Sequence, residues 1–152
     1  MSNQANKSLP IWKNTVSQTL TRNNIKISNP SIDYLSRMIN TYMYNANTSP
    51  AALIDTAWLQ LQYNTPHSKT LAQFIGDQCI LSVGLMPQAL THYTEKNRHY
   101  CCIGKQAYKI RAVQPRTNHQ DMQMFLELSD HFAEITLALI LIRKNQINHE
   151  NF

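Results

Sequence analysis

The chain has 152 residues, of which 43% are hydrophobic and 15% charged, and it carries a formal net charge of +5. A chain of this length and apolar content builds one core in one domain without staples. The positive charge permits attraction to nucleic acid, an anionic membrane or an acidic partner but selects none of them, and the thin charged coat favours association.

Residues 1–8 read as a disordered tail, 9–146 as a helical domain and 147–152 as a second tail. The polar stretch Met1 to Leu9 has no apolar core of a secretory signal. Ile11, Val16 and Leu20 sketch a first helix that fades over Thr21 to Ile27. Ser28-Asn29-Pro30 then places a capping residue and a proline at a helix start, and Ile32, Leu35, Ile39 and Tyr42 follow at alternating spacings of three and four. Thr48-Ser49-Pro50 repeats that start signal ahead of Ile54, Ala57, Trp58 and Leu61.

Thr65-Pro66-His67-Ser68 opens a fourth helix whose interior, Leu71 to Val83, is apolar on most faces and is expected at the centre of the bundle; Gly84 is expected to end it and Pro87 to block its continuation. A fifth helix is predicted from Asn97 to Arg111, with Pro115 closing the segment, and a last one from His119 to about Asn145. The pattern predicts an all-α bundle of five to six helices in a single domain. The longest apolar run, Ile135 to Ile142 with one threonine, is far short of the roughly 20 residues that span a bilayer, so no membrane partner is expected. Three cysteines in no framework spacing, two of them adjacent, point to reduced thiols and a cytoplasmic address.

Four stretches carry a resemblance: YLSRMI from Tyr34, IGDQCILSVGLMP from Ile75, YCCIGKQAY from Tyr100 and FLELSDHFAEITLAL from Phe125. Together they resemble a group of helical proteins of proteobacteria, in which a Gly-Asp pair is followed by a Gly and a Pro, a Tyr-Gly-Ala-Tyr segment and a long terminal helix. The resemblance implies an all-helical bacterial cytosolic protein, and it transfers no catalytic residue.

Four constellations carry chemistry-bearing side chains. His92, His99, Cys101 and Cys102 have donor atoms suited to zinc within eleven positions, yet adjacent cysteines on a helix point about 100° apart, so no metal is assigned and a buried and a partly exposed thiol are the economical reading. Asp77 is the only charge between Lys69 and Glu95. It is either an acid of raised pKa or, more economically, a buried polar residue paired with an Arg or a Tyr hydroxyl, beside a glycine that lets a neighbouring helix approach. Glu127, Asp130, His131 and Glu134 form an acidic face on the terminal helix, read as solvated or, alternatively, as a docking surface for a basic partner; no glutamate in the chain is followed three residues later by histidine, which excludes the di-iron carboxylate bundles. Lys96, Arg98, Lys105, Lys109, Arg111 and Arg116 form a basic segment interleaved with Tyr100 and Tyr108, where Arg98, Lys105 and Lys109 share one side of a helix suited to a phosphate backbone.

No Gly-rich phosphate loop or nucleophile elbow is present, so neither a cofactor nor a catalytic residue is assigned. The expected function is a non-enzymatic helical interaction module acting by protein binding and self-association. A nucleic-acid binder using residues 96–116 is the alternative, and an enzyme or small-ligand binder with a pocket between helices comes third. For self-association the seam Phe125, Leu128, Phe132, Ile135, Leu139 and Ile142 docks the terminal helix on its own bundle. Leu137, Ala138 and Leu141 on the other side are the expected homodimer interface.

Overall fold

The computed structural model describes residues 2–45, 51–63, 68–85 and 95–150. They form seven helices and no strand: α1 (Ser2–Arg22), α2 (Asn29–Asn45), α3 (Ala51–Gln62), α4 (Ser68–Leu85), α5 (Glu95–Ala112), α6 (His119–Asp130) and α7 (Phe132–Glu150). The fold is therefore all-α, with one more helix than the upper expectation. The start signals Thr48-Ser49-Pro50 and Thr65-Pro66-His67, together with Pro87 and His92, lie outside the described residues.

The additional helix comes from the terminal segment. Its seam, Phe125, Leu128, Phe132, Ile135, Leu139 and Ile142, is buried throughout, but the backbone leaves the helical region at His131, with φ −104° and ψ 18°. The His131 carbonyl at once accepts the Ile135 amide at 2.9 Å and starts α7. The break lets α6 lie on α5 and α2 while α7 lies on α4 and α1, a division that one straight rod cannot satisfy.

α4 is the central helix, touching α2, α3, α5 and α7. Ala72, Ile75, Cys79, Ile80, Leu81, Val83 and Leu85 are all buried on it, in keeping with its apolar composition. Gly84 does not end the helix, which runs one residue further; it is buried, and a Cβ there would come within 2.8 Å of the Leu139 Cβ. Its service is a notch for α7 rather than a turn.

At the amino end, α1 begins at Ser2, so residues read as a tail are helical; the Ser8 hydroxyl donates to the Asn40 side chain on α2 at 2.5 Å and ties this stretch to the bundle. α7 continues to Glu150, beyond the boundary expected at 146. α2 begins at Asn29, with the Ser28 carbonyl accepting the Ile32 amide at 3.0 Å, and Leu35 and Ile39 are buried as their spacing implies. Among the described residues no helix is long and apolar enough to cross a membrane.

Candidate functional site

Among the described residues, a polar network spanning three helices is centred on Asp77. Gln73 and Asp77 are one turn apart on α4, Tyr108 and Arg111 one turn apart on α5, and Tyr34 reaches in from α2. The Tyr34 hydroxyl donates to Asp77 Oδ1 at 2.7 Å and also lies 2.9 Å from Oδ2, and the Tyr108 hydroxyl donates to Oδ1 at 2.6 Å. Gln73 Nε2 donates to the Tyr34 oxygen at 3.0 Å, and Arg111 Nε donates to Gln73 Oε1 at 3.1 Å. Gly76 makes this possible: a Cβ there would come within 2.5 Å of the Tyr108 Cδ1, so the phenol ring occupies the space that a side chain would take.

Burial drives the Asp77 pKa up to about 6, against the downward pull of the hydrogen bonds from Tyr108 and Tyr34. Burial and the neighbouring carboxylate raise both phenols, which are therefore neutral donors. Aromatic packing fixes them: Tyr34 meets the Phe125 ring edge-on at 5.4 Å, and Tyr108 lies 5.7 Å from Phe125 and 5.9 Å from Phe132. Asp77 lies in the wall of a groove of about 440 Å³ between α2 and α4. Chemically it is a carboxylate oriented by two phenols that reaches half-ionisation near pH 6 and is mostly ionised at neutral pH.

Arg111, expected on the basic face, is instead 6% exposed. Besides Gln73 it donates to Thr117 Oγ1 at 3.1 Å, lies 4.0 Å from Asp121, and places its guanidinium over the Phe125 ring at 4.6 Å. A planar fork with aromatic and amide partners suits burial, which is why this cation leaves the surface. Arg98, Lys105, Lys109 and Arg116 are exposed, while Lys96 lies outside the residues whose side chains are described. Arg98 and Lys105 share a depression with Asp130 and Glu134, so acidic groups accompany them.

His99 faces Asp55 of α3 at 3.9 Å, and the Tyr100 hydroxyl donates to the same carboxylate at 3.4 Å. Cys79 and Cys101 are buried, Cys102 is exposed, and none of the three is in a disulfide. Among the described residues no three His, Cys, Asp or Glu side chains come together in a manner that would hold a metal ion.

Glu127 forms a second polar cluster that sequence reasoning placed on a solvated face. It accepts the Ser28 amide at 2.8 Å, the Ser28 hydroxyl at 2.7 Å and the Ser31 hydroxyl at 2.5 Å, and so caps α2 from α6. One signal was legible: Ser28-Asn29-Pro30-Ser31 starts a helix with no acid in its first turn to complete a capping box.

Compared with known protein families, characterised proteins and solved structures, the chain finds no match in any of the three.

Proposed function

We propose that the protein is a non-enzymatic helical interaction module that pairs with a second copy of itself along the outer face of α7. The observation that carries this reading is the exposure of Leu137 (52%) and Leu141 (39%), one turn apart on that helix. Ala138, expected to join them, is 2% exposed and belongs to the chain's own core, because the helix rotation places it beside Leu139 and Ile142 rather than beside the leucines.

The exposed positions continue as Glu134 on one side of the leucines and Lys144 on the other. Both pairs are centred on position 139, so a two-fold antiparallel pairing of α7 sets Leu137 against Leu141 and Glu134 against Lys144 of the partner subunit, twice. A stripe of this kind complements itself in both shape and charge. Four side chains per helix make a small contact, so the pairing is weak and shifts with protein concentration. Three cysteines outside any disulfide support a reducing, cytoplasmic setting as part of the same proposal.

Light scattering on sized protein across a concentration series tests this. Leu141→Glu gives a folded monomer. Glu134→Lys weakens the pairing, and adding Lys144→Glu to it restores association by returning opposite charges to each contact. A wild-type protein that stays monomeric at high concentration defeats the reading, and a charge swap that fails to rescue defeats the antiparallel geometry. The nucleic-acid alternative draws on less, since Arg111 is buried and acids line the depression that holds Arg98 and Lys105.

A further inference from the structure

We propose that the groove between α2 and α4 binds a small organic cation, a primary ammonium on an apolar body, with Asp77 as its counter-ion. Tyr34, Met38 and Tyr42 recur at four-residue steps along α2, and Gln73, Asp77 and Leu81 do the same along α4, so each helix presents one continuous stripe to the groove. Its volume of about 440 Å³ falls within the range of small-molecule sites. Apolar surface from Met38, Leu81 and the tyrosine rings surrounds a single carboxylate, the pattern of a site that orients a ligand by one charge and holds it by burial.

The charge of that carboxylate is uncompensated. Among the described residues Asp77 has no ion pair, whereas Asp33, Asp55, Asp121 and Glu134 each lie beside a cation or a histidine. Its Oδ1 takes the shorter contact from each of the two phenols. Oδ2 has only the longer share of the one proton that Tyr34 donates, which leaves lone pairs for a further donor. Arg37, on the groove wall, bonds Asp33 at 2.8 Å, and Arg111 bonds Gln73 and Thr117; Lys69 and Arg111 share a second depression with Asp77, but neither forms an ion pair with it.

An ammonium donating to Oδ2 supplies the missing charge without displacing either tyrosine. An anion meets an unopposed carboxylate and is repelled. A neutral alcohol of the same shape makes the hydrogen bond but gains none of the charge pairing.

Titration calorimetry with three probes of one shape, phenethylamine, 2-phenylethanol and phenylacetate, separates these cases. Phenethylamine binds one site per chain, the alcohol binds about tenfold more weakly or worse, and phenylacetate does not bind. Asp77→Asn lowers phenethylamine affinity by about tenfold or more by removing the charge. Thr41→Trp, a change at an exposed groove residue that leaves the Asp77 hydrogen bonds intact, abolishes binding by filling the space; helical circular dichroism checks that both variants are folded. Absence of phenethylamine binding to the wild type, equal affinity for the alcohol, or binding that survives either substitution overturns the proposal.

Discussion

Asp77 and Glu127 do the same mechanical work in different surroundings. Each is a carboxylate that accepts hydrogen bonds from α2 and joins that helix to a distant part of the chain, Asp77 across 43 residues and Glu127 across 99. Burial raises the pKa of both, but the Ser28 and Ser31 hydroxyls and the Ser28 amide outweigh it at Glu127 and lower the net value, whereas the two phenols at Asp77 do not. The difference lies in position as much as in donor number. Glu127 sits where a helix begins, among amide groups whose dipoles favour negative charge, and it remains partly in water. Asp77 sits beside the middle of α2 and of α5, where those helices have no free amides to offer. One cluster stabilises an ionised group, and the other tolerates it.

Removing a phenol from the Asp77 cluster has the largest expected effect. Tyr108 is fully buried, fills the notch at Gly76 and packs on Phe125 and Phe132, so Tyr108→Ala costs about 3 to 5 kcal/mol in urea unfolding. A loss under about 1 kcal/mol shows that the ring is not the wedge between α4 and α5.

Glu127→Ala is the next largest. It strips the cap from α2 and leaves the buried Ser31 hydroxyl without its carboxylate, at a cost of about 2 kcal/mol near neutral pH. Because the folded pKa of Glu127 is depressed, the stability it contributes is present above the ordinary value of 4.5 and is lost as pH falls through the folded value. The gap between variant and wild type therefore narrows in acid, and an equal gap at pH 7 and in strong acid contradicts capping by the ionised form.

Sequence periodicity was enough for α2, where Leu35 and Ile39 face the core as their four-residue spacing expresses, and apolar content on most faces was enough for α4, where Ile75 and Ile80 are buried. The break at His131 was hidden because the apolar seam runs through it without a change of phase, and only the partners on either side require the chain to turn. Asp77 stood out as a lone charge in an apolar helix, yet nothing local named Tyr34 or Tyr108 as its partners. Arg111 was misplaced on the surface for the same reason: its neighbours Gln73 and Phe125 belong to α4 and α6, and helical spacing along α5 says nothing of them. Glu127 was read as solvated because its donors lie at the far end of the sequence. Elements were legible where the cause is nearest-neighbour packing, and the sites were not, since each is assembled from two or more helices.

The smallest change at neutral pH, and the sharpest test of the comparison, is Asp77→Asn. The amide keeps an oxygen for the phenols to donate to and removes a charge that burial disfavours, so near pH 8 the variant stays within about 1 kcal/mol of the wild type. The sign of the pH dependence is opposite to that of Glu127. With a folded pKa of about 6 against an ordinary 3.8, the folded protein holds the Asp77 proton more tightly than the unfolded chain does. The stability gained from that proton is fully present below 3.8 and is lost as pH rises through about 6. The wild type therefore gives up stability on going from pH 4 to pH 7 at this position, by at most about 2 kcal/mol once access of water from the groove is allowed for, and the asparagine variant does not. Urea unfolding of both proteins at several pH values should show the variant gaining on the wild type as pH rises across that window. A variant that instead falls behind as pH rises means the ionised carboxylate is favourably held at neutral pH, and the contrast with Glu127 then fails.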